Sequence, residues 1–331
     1  ITRIERDIFS LDHIQYVKAD TQENQDDEET FKFFDKASND QWTNILGDSF
    51  LYVANEGSTD DDIIKINNSS VSSVAKGFNG TSGLVIHENG SLYISDDKDT
   101  NNLSYFIDDN ISTISTDFDN PNALSFKDSD NLIVADSGNK ISKINLLNNT
   151  YETETLVNFK ADDELYPNAV LYNSDTNRVY YTLKNGQFSA YDFNTGMNSD
   201  IKLIPKLNKT QGGLVSRVEN KKLYFYASNY GDGEVIKFDE NGDYIETISF
   251  GSNNQTRGLV ITPNNNYLLV SIYNNNKILA YNFSDKTIVE IDSGNMLRNP
   301  FGLVISDNDY SDIIYPIVEV YDIDATNLDT T

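Results

Sequence analysis

Two asparagines occupy the same local setting. Asn122 follows Pro121 and precedes Ala123-Leu124, and Asn168 follows Pro167 and precedes Ala169-Val170. An amide oxygen is a hard donor, and Ca2+ or a similar divalent cation is bound through such oxygens. Asparagine is equally a turn former that bonds its own backbone, so a capping role after each proline stands beside the metal reading. Arg257 holds the matching position before Gly258-Leu259-Val260. A guanidinium there could grip a carboxylate or phosphate through two parallel hydrogen bonds. The plain alternative is an ion pair with one of the 52 acidic residues. Tyr226, Tyr230 and Tyr273 follow apolar strand patterns and fall near an expected loop rim. Tyrosine joins contact area to a hydroxyl, which suits a sugar or a peptide, and ordinary strand packing is its alternative.

Other chemistry has little to work with. His13 and His87 are the only histidines, and no Gly-x-Ser-x-Gly elbow is present. His87 ends an apolar strand and reads as a structural or loop residue. The absence of cysteine excludes disulfides, thiolate metal sites and cysteine nucleophiles. Asp239-Glu240-Asn241-Gly242-Asp243 alternates oxygen donors but lacks the rest of a calcium-binding loop. It reads as a hairpin turn, and Asp60-Asp61-Asp62 and Asp96-Asp97-Lys98-Asp99 read as solvated loops. This inventory leans away from an enzyme.

The elements that must position these residues are repeated. One pattern is a small residue followed by an apolar strand: Ser82-Gly83-Leu84-Val85-Ile86, Asn122-Ala123-Leu124, Asn168-Ala169-Val170, Gly212-Gly213-Leu214, Arg257-Gly258-Leu259 and Phe301-Gly302-Leu303. A second follows across a polar turn, beginning at Leu51, Leu92, Leu132, Val179, Leu223, Leu268 and Ile313. Its starts lie 41, 40, 47, 44, 45 and 45 residues apart. That period matches one four-stranded propeller blade. Intervening turns such as Glu88-Asn89-Gly90 and Pro263-Asn264-Asn265-Asn266 carry residues that tolerate positive φ. A third strand follows in most repeats, for example Ile141–Ile144 and Ile278–Phe283. Glycine before the inner strand fits a crowded axis where backbones approach closely.

The repeats predict an all-β, single-domain β-propeller over 1–331, with seven four-stranded blades closed by the chain termini. Six blades with terminal additions are the alternative. Trp42–Leu46 is the expected inner strand of the first blade. Ile14–Lys18, Thr30–Phe34 and Ile317–Ile323 are candidate closing strands. In the N-terminal segment 1–41, the acidic stretch 20–29 is expected to be a loop.

The two patterns together resemble the NHL, YVTN and SMP-30/gluconolactonase-like propellers, over roughly residues 42 to 315. Leu51-Tyr52-Val53-Ala54-Asn55 is similar to the YVTN signature strand, and Asn122-Ala123-Leu124 and Asn168-Ala169-Val170 to the Asn-Gly-Leu steps of lactonase-type members. The resemblance implies a divalent cation on the axis, held by the residues just before the Gly-Leu steps. Position by position these are Ser82, Asn122, Asn168, Gly212, Arg257 and Phe301. Only Asn122 and Asn168 keep a metal-competent amide oxygen, and Arg257 would repel a cation. The resemblance therefore implies an architecture more than an activity.

Composition sets the remaining expectations. Of 331 residues 38% are hydrophobic, enough for a large core, and the net charge of −27 repels nucleic-acid phosphates. No apolar run is long enough to span a membrane. The chain begins at Ile1, as a processed form would, and shows no signal peptide. Sequons at Asn67, Asn68, Asn79, Asn89, Asn102, Asn110, Asn148, Asn208, Asn254 and Asn282 are glycan acceptors if the protein is secreted, and chance products of an Asn-rich chain otherwise. The leading expectation is a monomeric, secreted or cell-surface glycoprotein that binds a glycan, peptide or small anion at the axial funnel. A metal-dependent lactonase of SMP-30 type is the second reading, and a structural spacer the third.

Overall fold

Small residues at the start of each apolar repeat let six strands converge on one axis. The computed structural model describes residues 34–307, except 58–60, 69, 79, 97–101, 108–109, 116–117, 148–150, 161–164, 208 and 292. Six antiparallel four-stranded sheets form the blades of a propeller. The first blade orders β24 (Pro300–Ser306), β1 (Phe50–Asn55), β2 (Asp61–Ile66) and β3 (Val71–Phe78) from the axis outward. The second runs β4 (Thr81–Ile86), β5 (Leu92–Asp96), β6 (Asn102–Ile107) and β7 (Asn110–Ser115). The third runs β8 (Pro121–Asp128), β9 (Asn131–Asp136), β10 (Lys140–Asn145) and β11 (Thr153–Asn158). The fourth runs β12 (Pro167–Asn173), β13 (Arg178–Leu183), β14 (Gln187–Asp192) and β15 (Met197–Leu203). The fifth runs β16 (Thr210–Glu219), β17 (Lys222–Asn229), β18 (Glu234–Asp239) and β19 (Tyr244–Ser249). The sixth runs β20 (Thr256–Ile261), β21 (Tyr267–Ile272), β22 (Lys277–Asn282) and β23 (Ile288–Ile291).

The inner strands touch in the circular order β24, β4, β8, β12, β16, β20 and back to β24. Their approach is set by glycine. A Cβ on Gly258 would lie 2.1 Å from the Phe301 carbonyl oxygen, one on Gly213 2.2 Å from that of Arg257, and one on Gly302 2.4 Å from that of Ser82. Any larger residue would force neighbouring blades apart. At this step most inner strands slip register against their partner. Second-strand hydroxyls collect the displaced amides: Gly83 N donates to Ser95 Oγ at 2.6 Å and Gly258 N to Ser271 Oγ at 2.8 Å. Ser271 Oγ then donates to Phe301 O at 2.7 Å, tying the sixth blade to the first.

The blade count is six, not seven. Trp42–Leu46 is no inner strand; it lies within α1 (Asn39–Leu46). Ser38 and Gln41 form a reciprocal capping box there, and Trp42, Ile45 and Leu46, spaced for one helical face, are buried. The inner place in the first blade is instead taken by β24, whose Val304 pairs with Tyr52. The sixth glycine-led repeat thus closes the ring onto the first outer strands and removes exposed edges at the seam. Ile313–Tyr315, Ile317–Ile323 and Ile14–Lys18 lie outside the described residues, as does Thr30–Phe34 apart from Phe34. Beyond Phe34, Asp35–Ala37 pairs with the outer strand β23: Ala37 N donates to Glu290 O and Glu290 N to Asp35 O, each at 2.8 Å.

The core fills the spaces between adjacent blades. Between the fourth and fifth, Tyr180, Phe188, Phe225 and Phe238 interlock with ring centroids 4.6 to 5.8 Å apart. Burying each such ring contributes about 2–3 kcal/mol, so the aromatic-rich sequence supplies the mass of the interblade packing.

Candidate binding site at the axial mouth

One mouth of the propeller is built by the N-terminal ends of the inner strands, the loops that enter them, and the turns joining second to third strands. Short side chains fix these loops. Asp136, fully buried at the end of β9, accepts hydrogen bonds from Asn120 N at 3.0 Å, Asp119 N at 3.2 Å and Gly138 N at 2.9 Å. At the same step Asn229 Oδ1 accepts from Lys209 N at 3.1 Å, and Asn55 Oδ1 accepts from Arg298 N. The polar residue that closes the signature-like strand Leu51–Asn55 is therefore a loop anchor.

Arg257 dominates the mouth. It is 8% exposed and its guanidinium lies over three rings, 4.0 Å from the Tyr273 centroid, 4.4 Å from Phe301 and 4.6 Å from Tyr230. Each such contact contributes about 0.5–2 kcal/mol. Two of the rings sit on single 3-10 turns, Tyr230–Asp232 and Tyr273–Asn275. Among the described residues no carboxylate pairs with Arg257, and its Nε is buried without a hydrogen-bond partner. The contrast with the other described arginines is plain. Arg178 pairs with Asp192 at 2.9 Å, Arg217 pairs with Glu219 at 2.8 Å, and Arg298 donates to Asn295 O and Leu297 O. Burial, and next the Glu56 carboxylate, raise the Tyr273 hydroxyl to about 12, with Arg257 pulling the other way.

Phe301 stands two blades from Gly212, yet its ring covers that glycine. Gly212 has φ +82°, and a Cβ there would lie 2.4 Å from the ring. The ring therefore reaches across the axis. The axial channel, ≈ 180 Å³, is lined by Leu84, Leu124, Leu214, Leu259 and Leu303.

Beside this cage a cavity of ≈ 580 Å³ opens over the third to fifth blades, lined among others by Asn120, Asn122, Tyr166, Lys184, Lys209 and Tyr230. Lys184 Nζ lies 4.9 Å from the Tyr166 centroid. The same lining carries two lysines and one carboxylate, Asp119. Asn168 ties blades together, its Nδ2 donating to Thr210 O at 2.7 Å. Asn122 is 6% exposed and its Oδ1 is buried without a partner, as is Oδ1 of Asn120.

The sequence reading and the structure meet unevenly. Arg257, Tyr230 and Tyr273, far apart in sequence, are brought into contact. Tyr226 is placed elsewhere: it is 1% exposed within β17, and its hydroxyl bonds Glu219 away from this mouth. β17 extends three residues beyond Tyr226, so a reading that ended the strand there set it at the rim. Phe301 and Gly212, noted only as lacking ligand atoms, form the cage wall and its seat. His87 is structural, its Nε2 2.8 Å from Ser129 O, and His13 lies outside the described residues. The Asp239–Asp243 turn is closed by its own Asp239 carboxylate, which accepts from Asn241 N and Asp243 N.

A divalent cation at the axis would need oxygen donors and negative charge. Asn168 Nδ2 is held by Thr210 O, the Asp136 carboxylate is occupied by backbone N–H groups, and Lys184, Lys209 and Asp119 line the same cavity. Among the described residues no group of three His, Asp or Glu could hold a metal. Asn122 and Asn168 alone supply two neutral amide oxygens, fewer than the six to eight donors that Ca2+ takes.

The chain is a six-bladed β-propeller of four-stranded antiparallel blades. No protein-family model matches it, and no curated protein matches it. Solved structures share the fold. A chain of the nidogen/laminin complex is 12% identical, with a TM-score of 0.63 over 78% of this chain and 98% of that one. A Bacteroides fragilis protein provisionally assigned as a 6-phosphogluconolactonase is 14% identical, with a TM-score of 0.56 over 78% and 98%. A catalytically inactive virginiamycin B lyase from Staphylococcus aureus, solved with quinupristin, is 14% identical, with a TM-score of 0.55 over 77% and 88%. Such neighbours share an architecture that carries both binding proteins and enzymes. No helix among the described residues is long and apolar enough to cross a membrane.

Proposed function

We propose that this protein is a binding propeller that takes an anionic ligand at the axial mouth through Arg257. The observation that carries the reading is a buried guanidinium with three aromatic neighbours and, among the described residues, no acidic partner. A buried cation is normally paired, and in a chain with 52 acids a paired one was easily available. An incoming carboxylate would complete it with charge-assisted hydrogen bonds, each contributing about 1.5–3 kcal/mol. Calorimetric titration with a panel of small carboxylates tests this. Saturable binding lost about ten- to hundredfold in Arg257→Gln supports it, and equal binding by that variant overturns it. Lactone turnover that requires Ca2+ and is abolished by Asn168→Ala would replace it with the hydrolase reading.

The same reading extends to a secreted or cell-surface setting. Its support is that Asn68, Asn89 and Asn110, all in sequons, are exposed. Asn79, Asn148 and Asn208 lie outside the described residues, and Asn254 is the least suited, since its Nδ2 donates to Phe250 O. Mass spectrometry of native material tests occupancy: unmodified sequons throughout would remove this support.

A further inference from the structure

Beyond the anion site, we infer that the cavity over the third to fifth blades is a second binding site, for an uncharged saccharide unit. The cavity measures ≈ 580 Å³, which is ample for such a unit. Its wall is a frame repeated in three successive blades. In each, the backbone N–H of the residue after the second strand donates to the carbonyl of the residue before the inner strand. Ser137 donates to Asn120 at 2.8 Å, Lys184 to Tyr166 at 3.1 Å and Tyr230 to Lys209 at 2.8 Å. All six residues line the cavity, so their side chains are presented on a backbone that is already fixed. Asn122 lines the same cavity at 6% exposure. Its Oδ1 is buried without a hydrogen-bond partner among the described residues, as is Oδ1 of Asn120. A buried acceptor left without a donor is costly, so this pair calls for a ligand that donates.

The rest of the lining decides which donor. A carboxylate or phosphate only accepts, so it would leave both amide oxygens unmet. A cation would meet Lys184 and Lys209 against one carboxylate, Asp119. What fits is a neutral group that donates to the amides and accepts from the lysines, and a hydroxyl does both. Among the described residues no aliphatic side chain lines the cavity, and two rings, Tyr166 and Tyr230, supply its broad apolar surfaces. A peptide would bring aliphatic side chains that this wall does not receive. A sugar ring matches it, with C–H faces for the tyrosines and hydroxyls around its edge. Lys184 Nζ, 4.9 Å from the Tyr166 centroid, places donors beside one of those rings. Arg257 does not line the cavity; Tyr230 does, and it also touches Arg257, so the two sites share a wall while using different groups.

The test is calorimetry on the full chain with D-glucose, D-galactose, D-mannose and N-acetyl-D-glucosamine, beside acetate and a capped alanine tripeptide. At least one of the sugars should bind saturably and more tightly than the tripeptide. Asn122→Ala, checked for folding by circular dichroism, should weaken that sugar about tenfold, and Asn120→Ala, at a half-buried position, gives the same readout should the first variant not fold. Tyr166→Ala should weaken it by a similar factor, with Tyr166→Phe keeping most of the affinity. Acetate should respond the other way, lost in Arg257→Gln and kept in Asn122→Ala. No saturable sugar binding, sugar binding unchanged in the asparagine and Tyr166→Ala variants, or tighter binding of the tripeptide would overturn the inference. Sugar binding lost in Arg257→Gln and kept in Asn122→Ala would overturn it too, by moving the sugar to the anion site. Acetate that never binds, beside an intact sugar response, would count against the anion reading and support this site.

Discussion

Replacing Gly258 with alanine tests the packing that creates the mouth. By backbone entropy alone, glycine to alanine in a strand stabilises by about 0.4–1 kcal/mol. Gly258 has an ordinary φ, so nothing in its own conformation opposes the change. The opposition comes from the next blade, since the added Cβ would sit 2.1 Å from the Phe301 carbonyl oxygen. A tolerable carbon–oxygen contact is about 3.3 Å, so the blades must part by roughly 1 Å. In a closed ring that displacement cannot relax at one seam without straining the others. It would also stretch the 2.7 Å bond from Ser271 Oγ to Phe301 O. Overpacking of this kind costs about 1–3 kcal/mol, with the lost hydrogen bond adding about 1. For a chain of this size the melting temperature should fall by about 3–6 °C. The assay is urea and thermal unfolding of Gly258→Ala beside Gly77→Ala. Gly77 has φ +98° with nothing within 4 Å of a Cβ, so its cost reports backbone strain alone, about 1–2 kcal/mol. A Gly258→Ala variant as stable as the parent, or more so, would refute the account of convergence at the axis.

Other expectations follow from single contacts. Asp136→Ala should cost about 2–4 kcal/mol in urea unfolding, because three backbone N–H groups lose their acceptor beneath the mouth. Burial alone would raise the Glu219 carboxyl, but hydrogen bonds from Lys237, Tyr226 and Arg217 hold it below its ordinary value. That contribution to stability is present above pH 4.5 and lost as pH falls through the lower folded value, so Glu219→Gln should flatten the acid limb of the stability profile. Burial raises the Tyr93 and Tyr181 hydroxyls to about 12, from 10.0 in the unfolded chain. Their contribution is complete below pH 10 and lost as pH rises toward 12. Phenolate absorbance should therefore titrate late in the folded protein and unfolding should become easier across that window.

Much of the architecture was written in local pattern. The Gly-Leu steps marked the inner strands because axial crowding admits almost nothing else, and the Asn/Asp/Gly turns marked the hairpins. The count was harder. Leu51–Asn55 lacks an inner partner nearby in sequence, and only closure by Pro300–Ser306, a contact of very long range, supplies it. Ser38-x-x-Gln41 and the spacing of Trp42, Ile45 and Leu46 were a legible helix signal that the strand period overrode. At the site, the position of Arg257 before Gly258 pointed to the mouth. The cage did not show, since Tyr230, Tyr273 and Phe301 come from two turns and the closing strand. Tyr226 failed for a small reason, a strand longer than its apolar core suggested.

The most direct test of the anion site is the Arg257 Nε–H resonance in a 1H–15N spectrum, assigned by its absence from Arg257→Lys and followed during titration with the small carboxylates of the calorimetric panel. A buried, unpaired Nε predicts a saturable shift of this signal, with the Arg178 Nε, already hydrogen-bonded to Asp192, unmoved. An Arg257 signal that stays fixed while a carboxylate binds, or moves only with bulk ionic strength, would contradict the account.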